Sequence, residues 1–142
     1  MQQYDSDKAA RVWQRVRGEG LAQPQDLPEL PGLAAEESAL AALYRQMARA
    51  HPECQSLARD CSRSAAILRG ICLFQEQQPG KPAPPDAGVR NGLRLCCART
   101  LRCISAYEKL ADHPEYGCVF RRLAEWKKDH VCKLLELAGA GK

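Results

Sequence analysis

Along most of this chain apolar positions recur at spacings of three and four, with two clusters of proline interrupting the pattern. Over about residues 33–50, Leu33, Glu37, Leu40, Tyr44 and Met47 fall on one helical face. Over about 53–77 the same spacing collects Leu57, Cys61, Ser64, Leu68 and Ile71. A third segment, about 89–111, aligns Leu93, Cys96, Thr100, Cys103, Tyr107 and Leu110. The fourth, about 115–138, aligns Phe120, Leu123, Lys127, His130, Leu134 and Leu137, and Gly139 and Gly141 mark its end. Ahead of these, Asp5, Ser6 or Asp7 can cap a short helix that runs to about Arg17 and stops at Gly18-Glu19-Gly20. Its apolar stripe is thin, Val12 and Val16 with Trp13 alongside, so it needs something to dock on. Residues 19–32 carry three prolines and read as an irregular strap.

The connections between the four longer segments predict how they are joined. His-Pro-Glu stands at 51–53 and again at 113–115, each a short turn that lets neighbouring helices fold back on one another. Between the second and third segments lies QPGKPAPPDAG, residues 78–88, whose four prolines rule out a continuous helix. The pattern predicts an all-α, antiparallel four-helix bundle over 33–142, with one long crossover in the middle and residues 1–32 added in front. The chain also repeats itself. LYRQMARAHPECQSLARDCSRSAAIL, 43–68, and AYEKLADHPEYGCVFRRLAEWKKDHVCKLL, 106–135, each read Tyr, apolar positions, His-Pro-Glu, Leu-Ala and then a core face. Such a repeat is what a duplicated helical pair would leave.

Composition narrows the function classes. Hydrophobic residues make up 45% and aromatics 6%, a mix weighted to helix formers. Twenty-one basic against 17 acidic residues leave a charge of +4, too modest and too dispersed for a nucleic-acid surface. The start, MQQYDSDKAARVWQR, has no apolar signal core, and no apolar run approaches the roughly 18–20 residues that span a bilayer. The expectation is a cytoplasmic protein without a membrane partner. Eight cysteines are present, none in a C-x-x-C pair, and without a secretion signal they read mainly as small buried hydrophobes. There is no Ser-His-Asp constellation and no phosphate-binding glycine loop.

On Tyr44 and Tyr107, the two His-Pro-Glu turns and the matching starts of the second and fourth helices, the chain resembles the rubrerythrin-like members of the ferritin-like superfamily over roughly 33–138. The resemblance implies a di-iron site, with one Glu from each of the first and third bundle helices and a Glu-x-x-His from each of the second and fourth. Carried over position by position, the first Glu is Glu37, seven before Tyr44, and its counterpart seven before Tyr107 is Thr100. The two Glu-x-x-His motifs become Cys61-Ser62-Arg63-Ser64 and Lys127-Lys128-Asp129-His130. Only Glu37 and His130 match, and Ser64, Thr100 and Lys127 stand where ligands are implied. The rubredoxin-type C-x-x-C pairs that many rubrerythrins append are absent as well.

An ammonium at 127 opposes a bound cation and, facing inward, needs a partner of its own. The register predicts a Glu37–Lys127 ion pair in the space where the metal would sit. The leading expectation is a bundle without cofactor that serves as a structural or interaction module, with a homodimer as one arrangement and no partner named. The alternative is a metal-binding or oxidoreductase protein, with Glu37, Cys61 and His130 as a carboxylate, thiolate and imidazole set for one iron or zinc ion. Cys96 and Cys103 would flank that region from the third helix. A thiol-based site is a further reading, since Lys127 or a protonated His130 beside Cys61 would favour its thiolate while burial would oppose it.

Overall fold

The computed structural model describes residues 27–80 and 92–140, so the short helix expected at 5–17, most of the strap and the middle of the crossover lie outside the described residues. Four helices form: α1 Leu30–Met47, α2 Cys54–Phe74, α3 Gly92–Leu110 and α4 Gly117–Ala140. No strand occurs among the described residues, and the four helices pack as an all-α bundle. α1 packs most extensively on α2, and α3 on α4. The two pairs are joined chiefly through α1 and α3, and more sparsely through α2 and α4.

The three-and-four spacing decides which faces turn inward. Leu33, Glu37, Leu40 and Tyr44 of α1 are buried, as are Leu57, Cys61, Ser64, Leu68 and Ile71 of α2. Cys96, Thr100, Cys103 and Tyr107 do the same on α3, and Phe120, Leu123, Lys127, His130 and Leu134 on α4. Met47, Leu93, Leu110 and Leu137, at the ends of the stripes, are only partly covered. Burying a large apolar side chain stabilises by about 1.5–3 kcal/mol, so these stripes hold the pairs together far more than helix propensity does. The eight thiols divide as burial predicts: Cys54, Cys61, Cys72, Cys96 and Cys103 are buried, Cys97 is intermediate, and Cys118 and Cys132 are exposed.

The strap ends earlier than its prolines suggested. Pro31 sits in the first turn of α1, where its missing N–H is no loss and its fixed φ suits a helix, so α1 begins at Leu30 and not at 33. Leu27 and Leu30 are buried and anchor this entry, and Leu27 accepts a hydrogen bond from the Gln77 amide at 3.1 Å. At its other end α1 stops at Met47, short of 50. α2 closes with Gln77 N donating to Cys72 O at 2.8 Å across Glu76, whose φ of 55° is left-handed.

Both His-Pro-Glu turns are closed by backbone hydrogen bonds to and from the His, with different spans in each. His51 N donates to Met47 O and Cys54 N to His51 O, while His113 N donates to Leu110 O and Gly117 N to His113 O. In the second turn the imidazole joins in. His113 Nδ1 accepts the backbone N–H groups of Glu115 and Tyr116, each at 3.1 Å, and supplies partners that the start of α4 otherwise lacks. Gly117 is required here by close approach, because a Cβ would lie 2.3 Å from Ala111 O.

Candidate functional site

The inward stripes converge on a polar cluster at mid-bundle. Lys127 of α4 is fully buried and forms an ion pair with the fully buried Glu37 of α1. The other oxygen of Glu37 accepts a hydrogen bond from the Tyr107 hydroxyl of α3. Lys127 Nζ also donates to Cys61 Sγ of α2 at 3.1 Å. All four helices thus contribute one member to a chain running Tyr107, Glu37, Lys127, Cys61. The ion pair predicted from the register is present.

A second polar layer adjoins the first. The Tyr44 hydroxyl and Thr100 Oγ1 lie 3.2 Å apart, and the Tyr44 ring meets His130 edge-on with centroids 6.1 Å apart. Ser64 is buried in the same core. His130 Nε2 lies 3.0 Å from Asp60 Oδ2, and its buried Nδ1 has no hydrogen-bond partner. These contacts are exchanged between the two halves of the repeat. Tyr44 bonds Thr100, the residue seven before Tyr107, and Tyr107 bonds Glu37, the residue seven before Tyr44. Cys61 and Lys127, also equivalent in the repeat, touch one another directly.

Electrostatics follow from burial and from this pairing. Burial by itself favours the neutral amine of Lys127, but its neighbours together, the Glu37 carboxylate foremost, hold the amine above the ordinary lysine range. Burial pushes the Cys61 thiol up to about 12, overriding the ammonium that works the other way. Cys96 and Cys103 are also pushed up to about 12, mainly by burial. The proximity of Lys127 therefore does not make Cys61 a thiolate at neutral pH. Tyr107 is raised by burial and then by Glu37, so its hydroxyl stays a donor. His130 is lowered by burial and by Lys127, against the opposing pull of Asp60, and is neutral at pH 7.

A cleft of about 450 Å³ opens between α2 and α4, which pack only sparsely on one another. Asp60, Arg63, Trp126, Asp129, His130 and Cys132 are among its lining residues. His130 is its buried wall, and Lys127 lies one helical turn further along the same face. Periodicity alone could not identify Asp60. It stands next to Cys61 at the edge of the inward stripe, and only the packing of α2 against α4 reveals that its carboxylate reaches His130.

The donor set does not fit a di-iron centre. The six implied positions hold one carboxylate, one imidazole, a thiol, two hydroxyls and an ammonium, and that ammonium touches both Glu37 and Cys61. The three residues considered for a single ion are engaged elsewhere: Glu37 with Lys127 and Tyr107, Cys61 with Lys127, and His130 with Asp60. Among the described residues no group of three or more His, Cys, Asp or Glu side chains is placed to hold a metal ion. No helix there is long and apolar enough to cross a membrane.

Comparisons with protein-family models, with curated proteins and with solved structures found no match to this chain.

Proposed function

We propose that this chain is a non-catalytic, cytoplasmic bundle of ferritin-like, rubrerythrin-related type, in which an internal ion pair stands where a di-iron centre would be, and that it serves as a structural or interaction module. The observation that carries the reading is the buried Tyr107–Glu37–Lys127–Cys61 chain. It places an internal cation, covalently part of the protein, among the residues that the resemblance assigns to metal ligation. Such a core satisfies its own charges and needs no bound ion to fold. An antiparallel ferritin-like arrangement agrees with the cross-helix contacts. Along the core face numbers rise through Glu37, Tyr44 and Met47 of α1 while their α3 partners fall through Tyr107, Thr100 and Cys96. The exchange of contacts between equivalent residues of the two halves supports the same reading. A second copy or another protein would bind through the outer faces, leaving this core intact.

The test is metal content and metal-dependent stability. Protein produced without a metal-binding tag is loaded with Fe(II) and with Zn(II) under reducing conditions, desalted and measured by plasma mass spectrometry. Thermal unfolding is followed with and without chelator. Substoichiometric metal and a Tm that chelator leaves unchanged are expected. Near-stoichiometric metal that disappears in Cys61→Ser and His130→Ala would overturn the proposal in favour of a metal-binding or oxidoreductase protein.

A further inference from the structure

The contact between Cys61 and Lys127 has chemistry that an ion-paired core does not require. A thiol and an amine from different helices meet at 3.1 Å, and a carboxylate touches the amine. Cys96, equally buried, instead lies against the Met47 thioether at 3.6 Å. We propose that peroxide joins Cys61 to Lys127 through a sulfur–nitrogen bond, closing a covalent cross-link between α2 and α4 in the core.

The reaction balances with hydrogen peroxide as the only added reagent. The Cys61 sulfur attacks one peroxide oxygen and the O–O bond breaks. The departing hydroxide takes the thiol proton and leaves as water, so Cys61 becomes a sulfenic acid. Lys127 passes one proton to Glu37, and the freed amine attacks the sulfenic sulfur. The S–O bond breaks, hydroxide leaves as water with a second amine proton, and the S–N bond forms. Thiol, amine and peroxide give the sulfenamide and two waters, with sulfur oxidised by two electrons and peroxide reduced by two. Sulfenic acids are known to condense with nitrogen in this way when a nitrogen is held against them.

Geometry supplies the contact between the two groups, and the reagent has to cross the buried wall of a cleft to reach it. Peroxide is neutral and close to water in size, and the cleft between α2 and α4 leads to His130, one turn from Lys127. Amine and sulfur are already in van der Waals contact, so condensation is intramolecular and needs only a small approach. Both groups are protonated and screened from solvent, which makes the reaction slower than oxidation of the exposed Cys118 and Cys132. Its product ties together two helices that otherwise pack sparsely on one another.

The experiment uses the full chain carrying Cys118→Ser and Cys132→Ser, which removes intermolecular disulfides through the exposed thiols. The reduced protein is exposed to hydrogen peroxide, quenched with catalase, denatured, alkylated, digested and mapped by mass spectrometry. The expected result is a peptide pair linked through Cys61 and Lys127, two hydrogens lighter than the sum of its parts. It should revert to free peptides with dithiothreitol and be absent in Cys61→Ala, while Cys96 is recovered alkylated. The linked protein should also show a higher Tm than its dithiothreitol-treated counterpart. Two outcomes would overturn the proposal. One is Cys61 recovered as a free thiol after a peroxide dose and time a hundredfold beyond those that fully oxidise Cys118 and Cys132 in the unmodified chain. The other is Cys61 oxidised to sulfinic acid or a disulfide with Lys127 unmodified.

Discussion

Lys127→Met is the perturbation that asks most of this core. It leaves the Glu37 carboxylate fully buried, with the Tyr107 hydroxyl as its remaining partner. Removing one member of a buried ion pair typically costs about 3–5 kcal/mol, because the other charge is stranded away from water. For a domain of this size, whose whole stability is about 5–15 kcal/mol, that lowers Tm by about 10–20 °C. Glu37→Leu strands Lys127 in the same way and should cost a similar amount. The double variant Glu37→Leu/Lys127→Met replaces two charges by apolar groups of comparable volume and should lie within about 1–2 kcal/mol of the parent, or above it. The two single losses should therefore not add, and the coupling energy should reach at least about 3 kcal/mol. Urea unfolding of all four proteins, monitored by circular dichroism at constant m-value, closes the cycle. A coupling below about 1 kcal/mol, the range of solvated surface pairs, would refute the account of Lys127 as a buried internal counter-ion.

Three further predictions test neighbouring parts of the core and its turns. Tyr107→Phe should cost about 1.5–3 kcal/mol and Tyr44→Phe only about 0.5–1.5, because the first hydroxyl bonds a carboxylate and the second a neutral Thr100; paired denaturant curves decide it. The folded state holds His130 below its unfolded value, so its contribution is present above about pH 6.5 and is lost as pH falls through the folded value. Tm measured from pH 7.5 downward should fall in that window, and His130→Gln should flatten the fall. Gly70→Ala, with nothing within 4 Å of the new Cβ, should gain about 0.5–1 kcal/mol in mid-helix. Gly117→Ala should destabilise the chain, since its Cβ would sit against Ala111 O; thermal melts of both glycine variants give opposite signs if the turn is built as described.

The four helices were legible because a period of three and four runs through each at length, and a stripe of that kind has only one inward face. Even Lys127, the least hydrophobic member of any stripe, could be placed inward by register alone. Its partner followed from charge, because Glu37 was the carboxylate on a facing stripe. What periodicity could not supply lay at the edges. Pro31 read as part of a strap, yet it initiates α1, since proline is excluded from helix interiors and not from first turns. Asp60 gave no sign of its role, because a residue at a stripe boundary faces a neighbour or solvent depending on how two helices cross. For Cys61 the sequence left burial and the adjacent cation as opposing influences on the thiol. The packed core decides for burial.

The exchange of contacts between the halves also carries information about association. The first half brings Glu37, Cys61 and Ser64 to the midline; the second brings Thr100, Lys127 and His130. Two copies of the first half, packed on each other as the real halves pack, would bury each Glu37 carboxylate against the other copy's Tyr44 and Cys61, with no ammonium to pair it. Two copies of the second would set lysine against lysine. Only the unlike combination closes its charges, so the midline residues act as a mating code that accepts a complementary half and rejects a copy of itself. The Arg99–Glu36 bridge between α1 and α3, at 2.8 Å, repeats that rule nearer the surface. Recognition between the halves is therefore written into the core, and the proline-rich crossover has only to keep them in the same molecule.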